Sequence, residues 1–542
     1  MVNRSGKPWR YWWLSIVAIA VLLSGASSCG QLPPISGQPS ISQANHIVTF
    51  VPKQALLSAV VDTTAKLDKA RTHTHFSKVV SKNLDLLLVS LSLDFKEDIR
   101  PWLGDTLAFA VTDKDIDRDH RNGHQTGYLL VVDAADGDRL REFLELFWQR
   151  QTVAGTSPVL SKASGVPIVT AQVGTHEQSL ATAVVGQHIL LVANDVQVLK
   201  QSLRVAQTPT LQLLEYDCCV PAWVSLQLPA LIDWLGLAVP VQPQLPSSPQ
   251  WQQLITTAMF QPHRLVVNTR AKSLHHQTAD PIFTANLANT KKTRSVESIE
   301  SYLPASLVWA AAGYDLRPLW AQLGDELNYY QKLPAPIQQS QQWLSTQLAQ
   351  ILLEPISQLF SNDYAVGQFR DGTWLMAIAN SQPANIKQLD DIAIQQGLTV
   401  SQFTLKDQSV TAWSRLKTRV KEGANRETTV ETELVALHTR AEDCHIFATS
   451  IGGLTAALEA PEHPLLDTQR FQQVMQSINN HNQGYLYGTW DEIERLLASD
   501  RWFSLVKPIV QPWTESLSAI AVSAHGQPDK QSTGTVSILL KD

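Results

Sequence analysis

The sequence predicts an α+β fold laid out as a tandem duplication, in which an antiparallel sheet with packed helices is built twice. Three observations predict it. The stretch IRPWLGDTLAFAV at 99–111, followed by GYLLVVDA at 127–134, returns as ISQLFSNDYAVGQF at 356–369, followed by TWLMAIAN at 373–380. In that alignment Ile99 matches Ile356, Trp102 matches Leu359, Leu103 matches Phe360, Asp105 matches Asn362 and Ala108 matches Ala365. Further stretches recur in the same order, among them FVPK with YLPA, HILLVAND with HIFATS, and WVSLQLPALIDWL with YLYGTWDEIERLL. Finally, apolar runs and helical periods alternate as β-α-β-β-α-β, the ferredoxin-like order, at the start of each copy.

The chain opens on MVNRSGKPWRYWWLSIVAIAVLLSGASSCG. Arg4, Lys7 and Arg10 precede an apolar run from Tyr11 to Leu23, and small residues follow, which is the pattern of a signal peptide or membrane anchor over 1–29. Cys29 stands where a lipoprotein signal places its lipidated cysteine, although Ala26 replaces the usual leucine three residues earlier. Three readings stay open: a lipid on Cys29, an uncleaved anchor from Trp12 to Ala26, and cleavage after Ala26 with a thiol that has no role. Each exports the body of the chain, because basic flanks stay in the cytoplasm. Residues 30–47, rich in Pro, Ser, Gln and Gly, read as a flexible tether.

The first repeat is expected over 48–290. Pro52 breaks the approach and Ala55–Val61 reads as a strand, followed by a mainly helical region from Thr64 to Asp98. Leu107–Thr112 and Tyr128–Ala134 read as strands, and their apolar runs predict burial. Asp136-Gly137-Asp138 then opens a helix whose Leu140, Phe143, Leu144 and Phe147 share one face. Val166–Gln172 is a strand, Leu180–Val185 and His188–Ala193 form a hairpin, and Asn194 is the expected N-cap of the next helix. Ala222–Leu228 is a strand that runs into a helix begun by Pro229, and strands near Leu265–Thr269 and Ile282–Asn286 close the unit.

A polar linker, 291–296, leads to the second repeat, 297–542. Its helical region carries Leu344, Leu348, Ile351 and Leu352 on one face, and Ile386 and Leu389 mark the helix after the central strand pair. Ser450 is the expected cap after the strand at 445–448, and Ser518–Ser523 and Thr535–Leu540 are the closing strands.

The tethered N-terminus, the Phe-Val-Pro opening, Leu-Gly-Asp before a strand and Val-Pro-Ile-Val at 166–169 resemble an uncharacterised cyanobacterial family, a domain of unknown function in exported, membrane-anchored proteins. The resemblance covers most of 48–542 and implies location without implying an activity, a substrate or catalytic residues.

Composition excludes some classes outright. The 542 residues exceed one core and suggest about two to four domains. A net charge of -6 and no basic face argue against nucleic acid, and four Cys are too few for a disulfide scaffold. In the loop at 112–124, Asp113, Asp115, Asp117 and Asp119 alternate as calcium ligands do, but the sixth position is Arg118 where glycine is wanted and the twelfth is His124 where glutamate is wanted. A solvated hairpin tip is the expectation. His73 with His75, and His275 with His276, lack a third metal ligand at a telling spacing. Cys218, Cys219 and Cys444 form no C-x-x-C and read as free or partly buried thiols. Ser414 with Lys417, and Ser504 with Lys507, match S-x-x-K without its companion motifs. The run at 417–433 reads as a long exposed hairpin, suited to a partner-binding finger.

No catalytic set, cofactor or metal site is therefore expected. The predicted function is a membrane-tethered interaction or scaffold protein on the extracytoplasmic side, in a periplasm or thylakoid lumen, with a protein partner. The alternative is a carrier or chaperone that holds an apolar ligand, a lipid or pigment, between the two repeats.

Overall fold

In a computed structural model, the structure describes residues 45–62, 93–119, 125–173, 178–213, 220, 222–235, 251–261, 263–273, 297–314, 359, 362–379, 382–420, 428–478, 484–498, 514–526 and 531–541. The strands are β1 (Leu57–Asp62), β2 (Leu103–Asp113), β3 (Gly127–Ala134), β4 (Val159–Ala163), β5 (Val166–Val173), β6 (Gln178–Val185), β7 (Ile189–Ala193), β8 (Ala222–Gln227), β9 (Trp251–Gln261) and β10 (Arg264–Ser273). They continue as β11 (Trp309–Gly313), β12 (Tyr364–Gln368), β13 (Trp374–Ala379), β14 (Thr399–Leu405), β15 (Gln408–Val420), β16 (Thr428–Ala441), β17 (Cys444–Ala448), β18 (Gly484–Thr489), β19 (Leu517–Gly526) and β20 (Gln531–Leu540).

These twenty strands make one sheet, antiparallel at every pairing. Followed from neighbour to neighbour, the order is β4-β5-β6-β7-β3-β2-β1-β8-β9-β10, then β20-β19-β18-β11-β12-β13-β17-β16-β15-β14. This overturns the expected α+β tandem duplication with a sheet in each copy. The strands near 265–269 and 535–540, expected among the closing strands of two separate units, instead pair with each other in the middle of the sheet, and the other closing strand expected at 282–286 lies outside the described residues. β10 pairs with β20 from Arg264↔Leu539 to Lys272↔Gln531. The reason is the cost of an open edge: two long terminal strands left unpaired would each present a row of unbonded amides and carbonyls, and joining them satisfies both. The ferredoxin-like start fails as well. That order keeps its first two strands apart in the sheet, whereas β1 lies directly against β2, Leu57↔Val111 through Asp62↔Thr106.

The apolar runs are buried, and the structure buries both faces of their strands. Alternate residues of a strand point to opposite sides, so Leu129 and Val131 of β3 enter one core while Leu130, Val132 and Ala134 enter another. On β13, Leu375, Ala377 and Ala379 face one core and Met376 and Ile378 the other. The covering elements are short helices: α1 (Asn45–Val48), α2 (Gly137–Val153), α3 (Val196–Ala206), α4 (Leu228–Leu235), α5 (Glu297–Glu300), α6 (Pro383–Gln395), α7 (Ile451–Glu459), α8 (Gln469–Met475) and α9 (Trp490–Ala498). Helix α1 takes in the last residues of the expected tether, and its Ile47 and Val48 are core.

Helix α2 starts where the sequence places it. Asp136 is its N-cap, accepting from the amides of Asp138 and Arg139 at 3.1 Å each, and Leu140 and Phe147 are buried. A Cβ on Gly137 would lie 2.2 Å from the carbonyl oxygen of Gln187, so the turn between β6 and β7 reaches the helix start only because residue 137 is glycine. Asp136→Ala removes the cap and should lower stability by about 1 kcal/mol in urea unfolding; an unchanged midpoint would show that the cap contributes nothing. Asn194 is not the cap of α3. Asp195 takes that place by accepting from Gln197 N, and Asn194 instead accepts from Tyr128 N at 2.8 Å and donates to Thr126 O at 2.7 Å, fastening the start of β3.

The outer strands β4 and β14 are mostly exposed along their length. The ladder between β15 and β16 runs on to Val420↔Thr428, well past the residues of β15 that meet β14 and those of β16 that meet β17. There it continues as a two-stranded finger, and residues 421–427 of the hairpin expected at 417–433 lie outside the described residues. Among the described residues no helix is long and apolar enough to cross a membrane.

Candidate functional site: a cationic cavity at the seam of the sheet

The ends of four adjacent strands near the middle of the sheet, β10, β20, β19 and β18, surround a cavity of ≈ 850 Å³. Helix α8 and the residues before β11 complete its wall, so both halves of the chain contribute. The floor is apolar: Leu307, Leu465, Leu539 and Leu540 are all buried. The rim is polar and cationic. Arg264, Arg470 and Lys541 line it beside His263, and no carboxylate among the described residues does.

Arg264 is the first residue of β10, and the strand fixes its backbone through Leu539. Its guanidinium reaches the last turn of α8, where Nη1 donates to Gln473 O at 2.7 Å and Nη2 donates to Gln476 Oε1 at 3.3 Å. A helix C-terminus carries partial negative charge, which suits a cation there. Of its three other N–H groups, the one on Nε is buried and has no partner. Burial pushes the Arg264 guanidinium below its usual range. Arg470 lies on the exposed side of α8, and its charge opposes the rise that burial gives the Tyr487 phenol. Lys541 pairs with Asp491 of α9 at 3.2 Å.

A second constellation lies in the core. His438 on β16 and His445 on β17 are diagonal neighbours on one face of their hairpin, since His438 pairs with Phe447 and Arg440 with His445. His438 Nδ1 is 2.8 Å from His445 Nε2, and His438 Nε2 is 3.0 Å from Asp390 Oδ1 of α6. Trp413 Nε1 of β15 donates to the same Asp390 oxygen at 2.7 Å. A carboxylate only accepts, so His438 Nε2 carries a proton; in neutral His438 the Nδ1 then accepts from His445 Nε2. Burial, then the neighbouring His438, pushes His445 down to about 3. Burial raises Asp390, but the hydrogen bonds from His438 and Trp413 outweigh it and hold the carboxyl below its usual range. The array looks like a proton relay, yet His445 ends it against Phe447 with both imidazoles buried. Its chemistry is that of a buried polar clasp between α6 and the sheet.

The candidates named from sequence fall elsewhere. Cys29, His73, His75, Cys218, Cys219, His275, His276, Ser504, Lys507 and the linker 291–296 lie outside the described residues. In the acidic loop, Asp113 Oδ1 accepts from Asp115 N at 3.1 Å, Asp117 Oδ1 accepts from Asp119 N at 3.0 Å, and Asp115 Oδ1 accepts from Gln125 N at 3.1 Å. The carboxylates thus brace the loop's own amides, and Lys114 pairs with Asp233 at 2.7 Å. Among the described residues no group of three or more His, Cys, Asp or Glu could hold a metal. Cys444 is a free, buried thiol, pushed up to about 12 by burial and then by Glu442, so it is an unreactive one. Ser414 is a strand residue whose Oγ meets Thr399 O at 3.5 Å.

No curated protein matches the chain. Three solved structures, crystal forms I, III and IV of TP0453, overlap it at TM-scores of 0.24, 0.24 and 0.25 and identities of 8%, 9% and 9%. They cover 44%, 44% and 42% of this chain and 83%, 84% and 79% of their own. Overlap this slight carries no argument about fold or function. A family model, in contrast, spans nearly the whole sequence. Because it matches residues 15–541, the chain belongs to the family described as "Protein of unknown function (DUF3352)".

Proposed function

We propose that this chain is a membrane-tethered protein of the extracytoplasmic side, in a periplasm or thylakoid lumen of a cyanobacterium, and that it works by binding and scaffolding rather than by catalysis. The observation that carries the binding part is the cavity where the strands of the two halves meet. Ligand sites favour such junctions, and this volume falls in the range of small-molecule sites, about 300–1,000 Å³. The tether rests on the basic, apolar and small-residue succession of residues 1–29. The finger of β15 and β16 offers a second surface suited to a protein partner.

The alternative, a carrier for a wholly apolar lipid or pigment, fits this cavity less well. Such a ligand would cover the cationic groups of Arg264, Arg470 and Lys541 without offering them an acceptor, and burying charge without a partner is costly.

The test is fractionation, with mass spectrometry of the mature N-terminus and affinity isolation from solubilised membranes. The chain is expected in the membrane fraction with a lipid on Cys29 or an intact anchor, and with a reproducible protein partner. A full-length chain in the cytosolic fraction would sink the proposal.

A further inference from the structure

The seam cavity's charge pattern says more about its occupant than its volume does. Arg264 is a partly buried cation whose hydrogen bonds go only to a carbonyl and an amide oxygen, and whose Nε is left over. Neither Arg264 nor Arg470 has a carboxylate partner among the described residues. Lys541 pairs with Asp491 at 3.2 Å. Taking charge out of water without a counter-charge is expensive, and here several positive groups share one rim. Guanidinium forks recognise planar and tetrahedral oxyanions, and two of them with an ammonium nearby suit a doubly charged anion better than a single carboxylate.

We infer that the seam cavity binds a phosphate group, with Arg264 and Arg470 as its binding residues and the remaining body of the ligand lying over the leucine floor. The inference rests on the reading of this cavity as the binding site and adds the ligand's chemical class. A phosphate accepts from the Arg470 fork and from the second N–H on each Nη of Arg264, without disturbing the two bonds that orient that guanidinium. The cavity is far larger than the ion, which leaves room over Leu307, Leu465 and Leu539 for an attached apolar or polar body. A free phosphorylated molecule and a phosphate-bearing lipid present the same head to this rim.

The experiment is calorimetric titration of the full-length, detergent-solubilised chain with two probes: inorganic phosphate, and phosphatidylcholine vesicles containing phosphatidic acid, against plain phosphatidylcholine vesicles. Binding of either probe is expected, weakened at least ten-fold in Arg264→Gln and in Arg470→Gln. Arg264→Lys should recover only part of the loss, because a lysine lacks the fork. Binding of inorganic phosphate identifies a free phosphorylated ligand, and binding of the acidic vesicles alone identifies a lipid. Arg470 is exposed, so Arg470→Gln keeps the test alive if Arg264→Gln fails to fold. Neither probe binding, or equal binding by the parent and both variants, overturns the inference. A chain that fails here yet still isolates from membranes with its partner refutes the phosphate site and leaves the tethered scaffold standing.

Discussion

Val132→Asp is expected to cost roughly 3–5 kcal/mol and to weaken both halves of the molecule together. Val132 is 3% exposed, with Leu107 and Leu190 opposite it on the flanking strands and Leu140 of α2 and Trp102 in the same core. A carboxylate there finds an apolar pocket, and the loss is that of a buried charge with no partner. The continuous sheet sets how far the damage spreads. Strands β3 and β13 lie in one hydrogen-bonded array that crosses the middle through β10 and β20, so the two halves have no polar gap at which to part. Urea unfolding followed by tryptophan fluorescence and circular dichroism should show a lower midpoint with the two probes coincident. A loss under about 1 kcal/mol, or one half surviving where the other has melted, would refute the account.

Acid should weaken the fold through the histidine clasp. Folded His445 sits at about 3 against an ordinary value of 6.5, so between those pH values the unfolded chain takes up a proton that the folded chain refuses. Stability from this group is therefore complete above pH 6.5 and is lost progressively as pH falls toward 3. The full difference is roughly 5 kcal/mol, about 1.4 kcal/mol for each pH unit. Asp390, held below its usual range, adds a loss of the same sign at the acid end. Melting temperature measured from pH 7 to pH 4 should fall steeply in the parent and more gently in His445→Phe. The idea fails if the two curves run parallel.

Much of the local structure was legible in the sequence. The strand expected at Tyr128–Ala134 is β3, that at Val166–Gln172 is β5, and the helix opened by Asp136 buries the face formed by Leu140 and Phe147. Each is set by periodicity and capping, which act over a few residues. β9 was missed because WQQLITTAMFQ mixes polar and apolar residues without a clean alternation. The architecture was misread for a different reason. Whether two strands become the ends of two sheets or the centre of one is decided by pairing between Arg264 and Leu539, and no local pattern encodes a partner that distant.

The site was the least legible part. The two histidines carried a usable signal: on a hairpin turning at Glu442 and Asp443, positions 438 and 445 fall on one face, and apolar Ala436 and Phe447 mark that face as core. Asp390 had no such signal, since its role depends on how α6 lies on the sheet. Arg264 reads in sequence as an ordinary polar residue at a strand start, and only the arrival of α8 and the chain's final strand gives it an enclosed setting.

The order in which the ribosome delivers the chain gives the central pairing a cost in time. Strand β10 is complete when Ser273 has been made, but its partner β20 ends at Leu540, two residues from the end of the sequence. During all the intervening synthesis, β9 is the one partner of β10 among the described strands that is already made, and the other edge of β10 stays open. Such an edge is a template for pairing with another chain. The nascent protein thus passes through a long interval in which it needs shielding, and a chain stopped short of residue 531 would hold both β10 and β19 in that exposed condition permanently.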